Sequence, residues 1–267
     1  MNRRNQSLYL LAGLLVLAAC HGERRIGGPE RTATVTRSWP AADIRLVRVF
    51  EVSGNVKVEA AAGPEIKLVA TARGRGLEVK NGVENSGIFE TTVDGDTLRI
   101  GRRRHKKNFD FNFFFNRDEL QIDYVLQVPP TTSLDMQTVN GRIATRGIEG
   151  ETEASTVNGT IDVEVAGIEE LTATTVNGRV RAKFTRSFVG ARFKSVNGGV
   201  EAYFPASASF SVDLAQVNGD FEASFPLSIH SNPGSRRVSG EVNGGQHRLK
   251  IVTVNGDVEL GRLNGSI

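Results

Sequence analysis

The sequence predicts an all-β protein, a right-handed parallel β-solenoid, on three observations. The tripeptide Val-Asn-Gly occurs seven times in the second half of the chain. Its first five copies follow one another at 18 to 21 residues, a period that marks stacked repeats. On both sides of each copy apolar and polar residues alternate with period two, the pattern of strands with one buried face.

Residues 1–19 read as a secretory leader. Arg3 and Arg4 supply the positive start, residues 8–17 a short apolar stretch, and Leu17-Ala18-Ala19-Cys20 ends it. The stretch is too short to span a bilayer. Leu-Ala-Ala-Cys resembles the lipobox of bacterial lipoproteins. That resemblance implies a diacylglycerol on Cys20, the one cysteine of the chain, and a mature N-terminus there. Without residues 1–19 the chain holds 31 Lys and Arg against 30 Asp and Glu, near neutrality, which gives little support to nucleic-acid binding, and no nucleic-acid partner is expected. Residues 20–40 are expected to be a flexible tether, and residues 41–267 a single β-solenoid domain.

Within that domain residues 41–130 read as irregular coils. Ile44–Val49, Gly54–Val58 and Ile66–Ala70 alternate as strands, Asp94-Gly95 turns into Thr97–Ile100, and Leu120–Val128 is stopped by Pro129-Pro130. Residues 131–267 carry the regular repeats. Their corners are Asn140-Gly141, Asn158-Gly159, Asn177-Gly178, Asn197-Gly198, Asn218-Gly219, Asn243-Gly244 and Asn255-Gly256. Asn and Gly enter positive φ at least cost, which suits a tight corner. Three residues after Asn stand Ile143, Ile161, Val180, Val200, Phe221 and Val258; only the copy at Asn243 fails, with Gln246. Leu134, Met136, Leu171, Ala173, Ala191, Phe193, Val212 and Leu214 fill matching places upstream. Asn-Gly between alternating strands also fits an antiparallel hairpin meander or barrel. Residue types that match from copy to copy favour the stack, in which Asn lies over Asn.

Val128-Pro129-Pro130-Thr131-Thr132-Ser133-Leu134, followed by repeated Val-Asn-Gly-X-Ile, resembles the bacterial β-strand-repeat domain of unknown function that carries an adhesin label. The resemblance covers residues 41–267, most strongly 120–262. It implies an envelope-exposed solenoid, often lipid-anchored, and brings no catalytic residues.

One segment breaks the pattern. Residues 102–117 contain Arg102, Arg103, Arg104, Lys106 and Lys107, then Phe109, Phe111, Phe113, Phe114 and Phe115. One reading is a projecting loop whose cations meet anionic headgroups or an acidic partner while Phe side chains insert into a membrane or groove. The other is a half-buried strand with a solvated basic bend before it.

Catalytic signatures are missing from the sequence. His21, His105, His230 and His247 show no metal-ligand spacing, and no nucleophile elbow or phosphate-binding glycine loop is present. The residues after Asn-Gly are too mixed for a calcium row, so no metal and no cofactor are expected. Asp162 and Glu164 keep open the alternative of a polysaccharide-acting enzyme with surface carboxylates. The expectation is a lipid-anchored envelope protein, sorted to the outer membrane by His21 after the acylated Cys. It would act as a non-catalytic binding, adhesin-like or scaffolding module toward an envelope protein or glycan. The final residues, still in the repeat idiom, suggest an open stack end and end-to-end self-association.

Overall fold

The computed structural model describes residues 30–74, 89–102, 120–167, 170–227 and 237–263, and every regular element among them is a β-strand. The N-terminal part contributes β1 (Arg31–Pro40), β2 (Leu46–Ser53), β3 (Val56–Ala60), β4 (Glu65–Gly74), β5 (Phe89–Asp94), β6 (Thr97–Arg102) and β7 (Gln121–Val128). The regular repeats give strand pairs joined at Asn-Gly. These are β8 (Ser133–Asn140) with β9 (Ile143–Ile148), β10 (Thr152–Asn158) with β11 (Ile161–Val165), and β12 (Leu171–Asn177) with β13 (Val180–Phe184). β14 (Gly190–Asn197) with β15 (Val200–Phe204) and β16 (Phe210–Asn218) with β17 (Phe221–Ala223) follow. The last elements are β18 (Arg237–Val242), β19 (His247–Asn255) and β20 (Val258–Arg262).

The strands form two ten-stranded sheets. The first half of each repeat enters sheet B and the second half sheet A. Neighbouring repeats pair in parallel and in register. In sheet B, Leu171 lies between Thr152 and Ala191; in sheet A, Val180 lies between Ile161 and Val200. This excludes the hairpin meander for the regular repeats and gives a mostly parallel, solenoid-like stack.

The alternating residues fill the space between the sheets. Leu134, Met136, Leu171, Ala173, Phe193 and Leu214 from sheet B are buried against Ile143, Ile161, Val180, Val200 and Val258 from sheet A. Towards one end the core becomes aromatic. Phe204 stacks on Phe184 at 5.1 Å and on Phe210 at 4.5 Å, and Phe188 packs edge-on to Phe184 at 4.9 Å. Offset and edge-on pairs of this kind add to simple burial.

The corner explains the tripeptide. Gly141 donates its N–H to Asn158 O at 3.1 Å, and Gly159 and Gly178 repeat the bond one coil further on. Successive corners approach so closely that a Cβ on Gly159 would lie 1.9 Å from Gly141 O, and one on Gly178 equally close to Gly159 O. No side chain fits there, so glycine is required by the neighbouring coil as well as by the bend. A hydroxyl two residues before Asn closes the corner from inside. Thr138, Thr156, Thr175 and Ser195 donate to the glycine carbonyls of Gly54, Gly141, Gly159 and Gly178 at 3.2 to 3.4 Å. The working motif is therefore Thr/Ser-Val-Asn-Gly.

Three expectations are corrected. Residues 31–40, placed in the tether, form β1, which pairs with β4 along its whole length from Arg31↔Gly74 to Pro40↔Glu65. Its β-branched Thr32, Thr34, Val35 and Thr36 suit a strand, Val35 is buried, and Trp39 packs on the core. Second, Asn243 is not a stacking corner. It has φ 49° in the turn between β18 and β19, and β18 runs antiparallel to β16. Third, the last repeat is not the end of the stack. β19 sits between β14 and β16, and β20 between β15 and β17. The same reversal occurs at the other end, where β2 and β3 lie inside β6 and β7. Antiparallel strands (β1, β4 and β5 at one end, β18 at the other) flank the parallel rows.

Candidate binding surface

Because strand residues alternate in and out, the outward side chains of sheet A fall into rows that cross the stack. One row runs Lys57, Ala144, Asp162, Arg181, Glu201, Glu259. The next runs Glu59, Arg146, Glu164, Lys183, Tyr203. Where the small Ala144 replaces a long side chain, the rows open into a shallow groove of about 300 Å³. Lys57, Arg142, Arg146, Arg181 and Lys183 bring positive charge to it, against Glu59, Asp162 and Glu164.

The charges are cross-linked between coils. Arg142 Nε meets Asp162 at 2.6 Å, and Arg181 bridges Glu201 at 2.7 Å and Asp162 at 3.9 Å. Arg179 adds a second contact to Glu201 at 2.9 Å, and Arg146 reaches Glu164 at 3.7 Å. The hydrogen bond from Arg181 to Glu201 raises the guanidinium pKa further above its ordinary range, so it stays charged. Tyr203 is pushed up by burial and by Glu259 and Glu201 beside it. Exposed pairs like these contribute about 0–1 kcal/mol each. They can therefore be exchanged for contacts with a partner at little cost. Asp162 and Glu164, the carboxylates of the enzyme alternative, are both occupied by arginine. Lys183 has no ion pair among the described residues.

Of the basic and Phe-rich segment, only Arg102 lies within the described residues, and it points inward. Its Nε donates to Oε1 of Glu51, and its NH2 donates to Leu120 O at 2.5 Å. Glu51 is fully buried; it accepts from Tyr124 Oη at 2.7 Å and from the N–H of Val52 at 2.8 Å. Burial raises the Glu51 carboxyl above its ordinary 4.5, with Arg102 opposing, and burial beside Glu51 raises Tyr124 well above its usual value. Glu51 is in register with Thr138, so it takes the place that Thr or Ser holds in later corners. Arg102 is thus a structural anchor between β2, β6 and the start of β7. Cys20, Arg103, Arg104, Lys106, Lys107, Phe109, Phe111, Phe113, Phe114 and Phe115 lie outside the described residues, as do His21, His105 and His230. His247 opens β19, its ring edge-on to Phe188 at 6.2 Å. Among the described residues no three His, Cys, Asp or Glu converge to hold a metal ion, and no helix is long and apolar enough to cross a membrane.

Residues 40–261, nearly the whole of this fold, match the Toastrack DUF4097 family. The chain belongs to that family. No curated protein matches it significantly. Among solved structures, a "putative cell adhesion protein" from Clostridium sporogenes is 10% identical, with 86% of this chain and 99% of that chain covered and a TM-score of 0.48. A "putative adhesin" from Bacteroides fragilis is 11% identical over 86% of this chain and 97% of its own, with a TM-score of 0.30. A "putative lipid binding protein" from Parabacteroides distasonis is 14% identical over 85% and 96%, with a TM-score of 0.29. This Toastrack chain covers nearly all of each.

Sequence reasoning reached the Asn-Gly corners and the alternating core. It missed the sheet A groove, because the rows join residues from different coils whose register becomes visible only once the stack is assembled. The Thr/Ser before Val-Asn-Gly was readable: Thr138, Thr156, Thr175, Ser195 and Thr253 all stand at that place.

Proposed function

We propose that this Toastrack protein is a lipid-anchored binding or scaffolding module of the bacterial cell envelope, adhesin-like in mode and without catalysis. The observation that carries the reading is the in-register outward lattice of sheet A. Every coil offers a charged side chain in at least one of the two rows, so a partner gains several weak contacts at once. An envelope protein or glycan carrying charge of both signs fits the groove around Ala144. The leader and Leu-Ala-Ala-Cys20 support acylation of Cys20, and His21 supports the outer membrane. The stack is read as right-handed, with coils of 18 to 21 residues. End-to-end association, on this reading, uses β17 and β18 or β1 and β5.

The test is photo-crosslinking capture from intact cells. It compares the native protein, a triple Arg142→Gln, Arg146→Gln, Arg181→Gln variant, and a variant lacking residues 103–117. A partner captured by the native protein and lost from the triple variant supports the sheet A surface. Loss only on deletion of 103–117 moves the site to the basic and Phe-rich segment. Capture of nothing by any form in an unbroken envelope counts against a binding role. Labelling with an alkyne-bearing fatty acid checks the anchor separately: the native protein should label, and a Cys20→Ser variant should not.

A further inference from the structure

On the outer face of sheet B the valine of each corner points to solvent. Val157, Val176, Val196, Val254 and Val217 are each 36–46% exposed and follow one another from coil to coil. With half-buried Val139 the stripe spans roughly 24 Å at the usual spacing of strands. It widens at one end, where Val252 and Ala215 lie directly above Val254 and Val217 and form a shallow trough of about 290 Å³. Cations frame the trough. Lys194 is in register with Val252 on one side and Arg237 with Ala215 on the other, while Arg192, Lys250 and Asp213 occupy the next row up. Arg192 reaches Glu170 at 3.9 Å and Arg248 reaches Asp213 at 3.7 Å. Lys194 and Lys250 have no ion pair among the described residues, and no acidic side chain lies in the valine rows.

We propose that this end of sheet B is a contact site for an anionic lipid bilayer, with the valines at the headgroup boundary and Lys194 and Lys250 on lipid phosphates. Charge complementarity selects this occupant. An acidic glycan would satisfy the lysines but leave the apolar stripe uncovered, whereas an anionic bilayer offers phosphates and an apolar boundary together over the whole length of the stripe. The trough is too shallow to enclose an acyl chain, so the face lies on the membrane and does not extract lipid from it. The site stands apart from the sheet A groove and does not depend on acylation of Cys20.

The experiment uses the unacylated chain from His21 to Ile267, which keeps every described strand, and co-sediments it with vesicles. Phosphatidylcholine containing phosphatidylglycerol should bind it in a salt-sensitive manner, and phosphatidylcholine alone should not. Lys194→Gln with Lys250→Gln should weaken binding about thirty-fold at low salt, from about 1 kcal/mol per basic side chain near an anionic surface. Val217→Ser with Val254→Ser should weaken binding at both low and high salt. All four positions are exposed, and β-type circular dichroism confirms that each variant is folded. Equal binding to both kinds of vesicle would overturn the proposal. So would no binding to either, or full binding by the lysine variant together with loss in an Arg142→Gln, Arg146→Gln, Arg181→Gln variant. Loss of labelling at Cys20 with vesicle binding intact would remove the anchor and leave this site standing.

Discussion

Asn177 donates its side-chain N–H to the Oδ1 of Asn158 at 2.8 Å, and Asn197 does the same to Asn177 at 2.9 Å. The chain of bonds begins at Asn140 and continues from Asn197 through Asn255 to Asn218, so it follows the order of coils in space and not in sequence. Each amide uses its acceptor toward one neighbour and its donor toward the other, which a carboxylate or alkyl side chain cannot do.

Asn177→Ala should therefore lower unfolding free energy by about 1 kcal/mol, the worth of solvent-accessible amide bonds. Gly178→Ala should cost more than about 3 kcal/mol, because its Cβ would lie 1.9 Å from a backbone oxygen that cannot move without the adjoining coil. Urea unfolding of both variants tests the ranking.

Asn-Gly sequences deamidate when the glycine nitrogen attacks the asparagine Cγ. The Cγ–Nδ2 bond breaks, ammonia leaves, and water opens the succinimide to aspartate or isoaspartate. Within the ladder the attacking N–H is held by the next coil, as Gly159 is by Asn177 O and Gly178 by Asn197 O, both at 3.0 Å. Among the described residues Gly219 has no coil beyond it. Among Asn140, Asn158, Asn177, Asn197, Asn255 and Asn218, the last should accumulate isoaspartate first. Peptide mapping after prolonged mildly alkaline incubation reads this, and equal rates at Asn158 and Asn218 would contradict it.

Removing Arg102 leaves the Glu51 carboxylate buried without its cation. Arg102→Ala should destabilise the protein by about 3–5 kcal/mol at neutral pH. The sign of the pH dependence follows from the raised Glu51 pKa. The native state holds that proton more tightly than the unfolded chain, so the stability it brings is full below the ordinary 4.5 and is lost as pH rises through the raised folded value. In Arg102→Ala the opposing charge is gone, and the deficit should shrink on acidification. Urea midpoints at mildly acidic and mildly alkaline pH measure the difference.

A chain stopped after Gln246 should lose far more than one repeat. It lacks β19 and β20, which separate β14–β15 from β16–β17, so the β16–β18 pair and β17 lose the coil that joins them to the stack. Limited proteolysis should cut the truncated form throughout 205–246 while sparing the coils before it.

The parts of the fold that depend on local pattern were legible in the sequence. Ile143, Ile161, Val180, Val200 and Val258 announced buried strands through their fixed distance from Asn, and Asn-Gly announced the corners. Two features were not. Asn243 satisfies the tripeptide as well as Asn255 does, and only the absence of an apolar residue at Gln246 hinted that it turns instead of stacking. The order of coils at both ends was hidden, since Asn218 and Asn255 have equivalent surroundings and period alone cannot say which one adjoins Asn197. The surfaces were hidden for a related reason. A valine before every Asn-Gly reads as core by its hydrophobicity, yet the bend turns Val157, Val176 and Val196 outward.

The interleaving of β19–β20 between two earlier coils also sets a constraint in time. A stack whose coils follow chain order can grow as a zipper, each new coil closing on the last while the chain is still being made. Here β16 and β17 are made before the strands that will seat them. They must stay undocked, with the Phe210 and Leu214 side chains uncovered, until β19 and β20 have been made and can slide in beside β14 and β15. A last piece that arrives late thus leaves one end of the stack open until synthesis is complete, while the coils before it can already have closed.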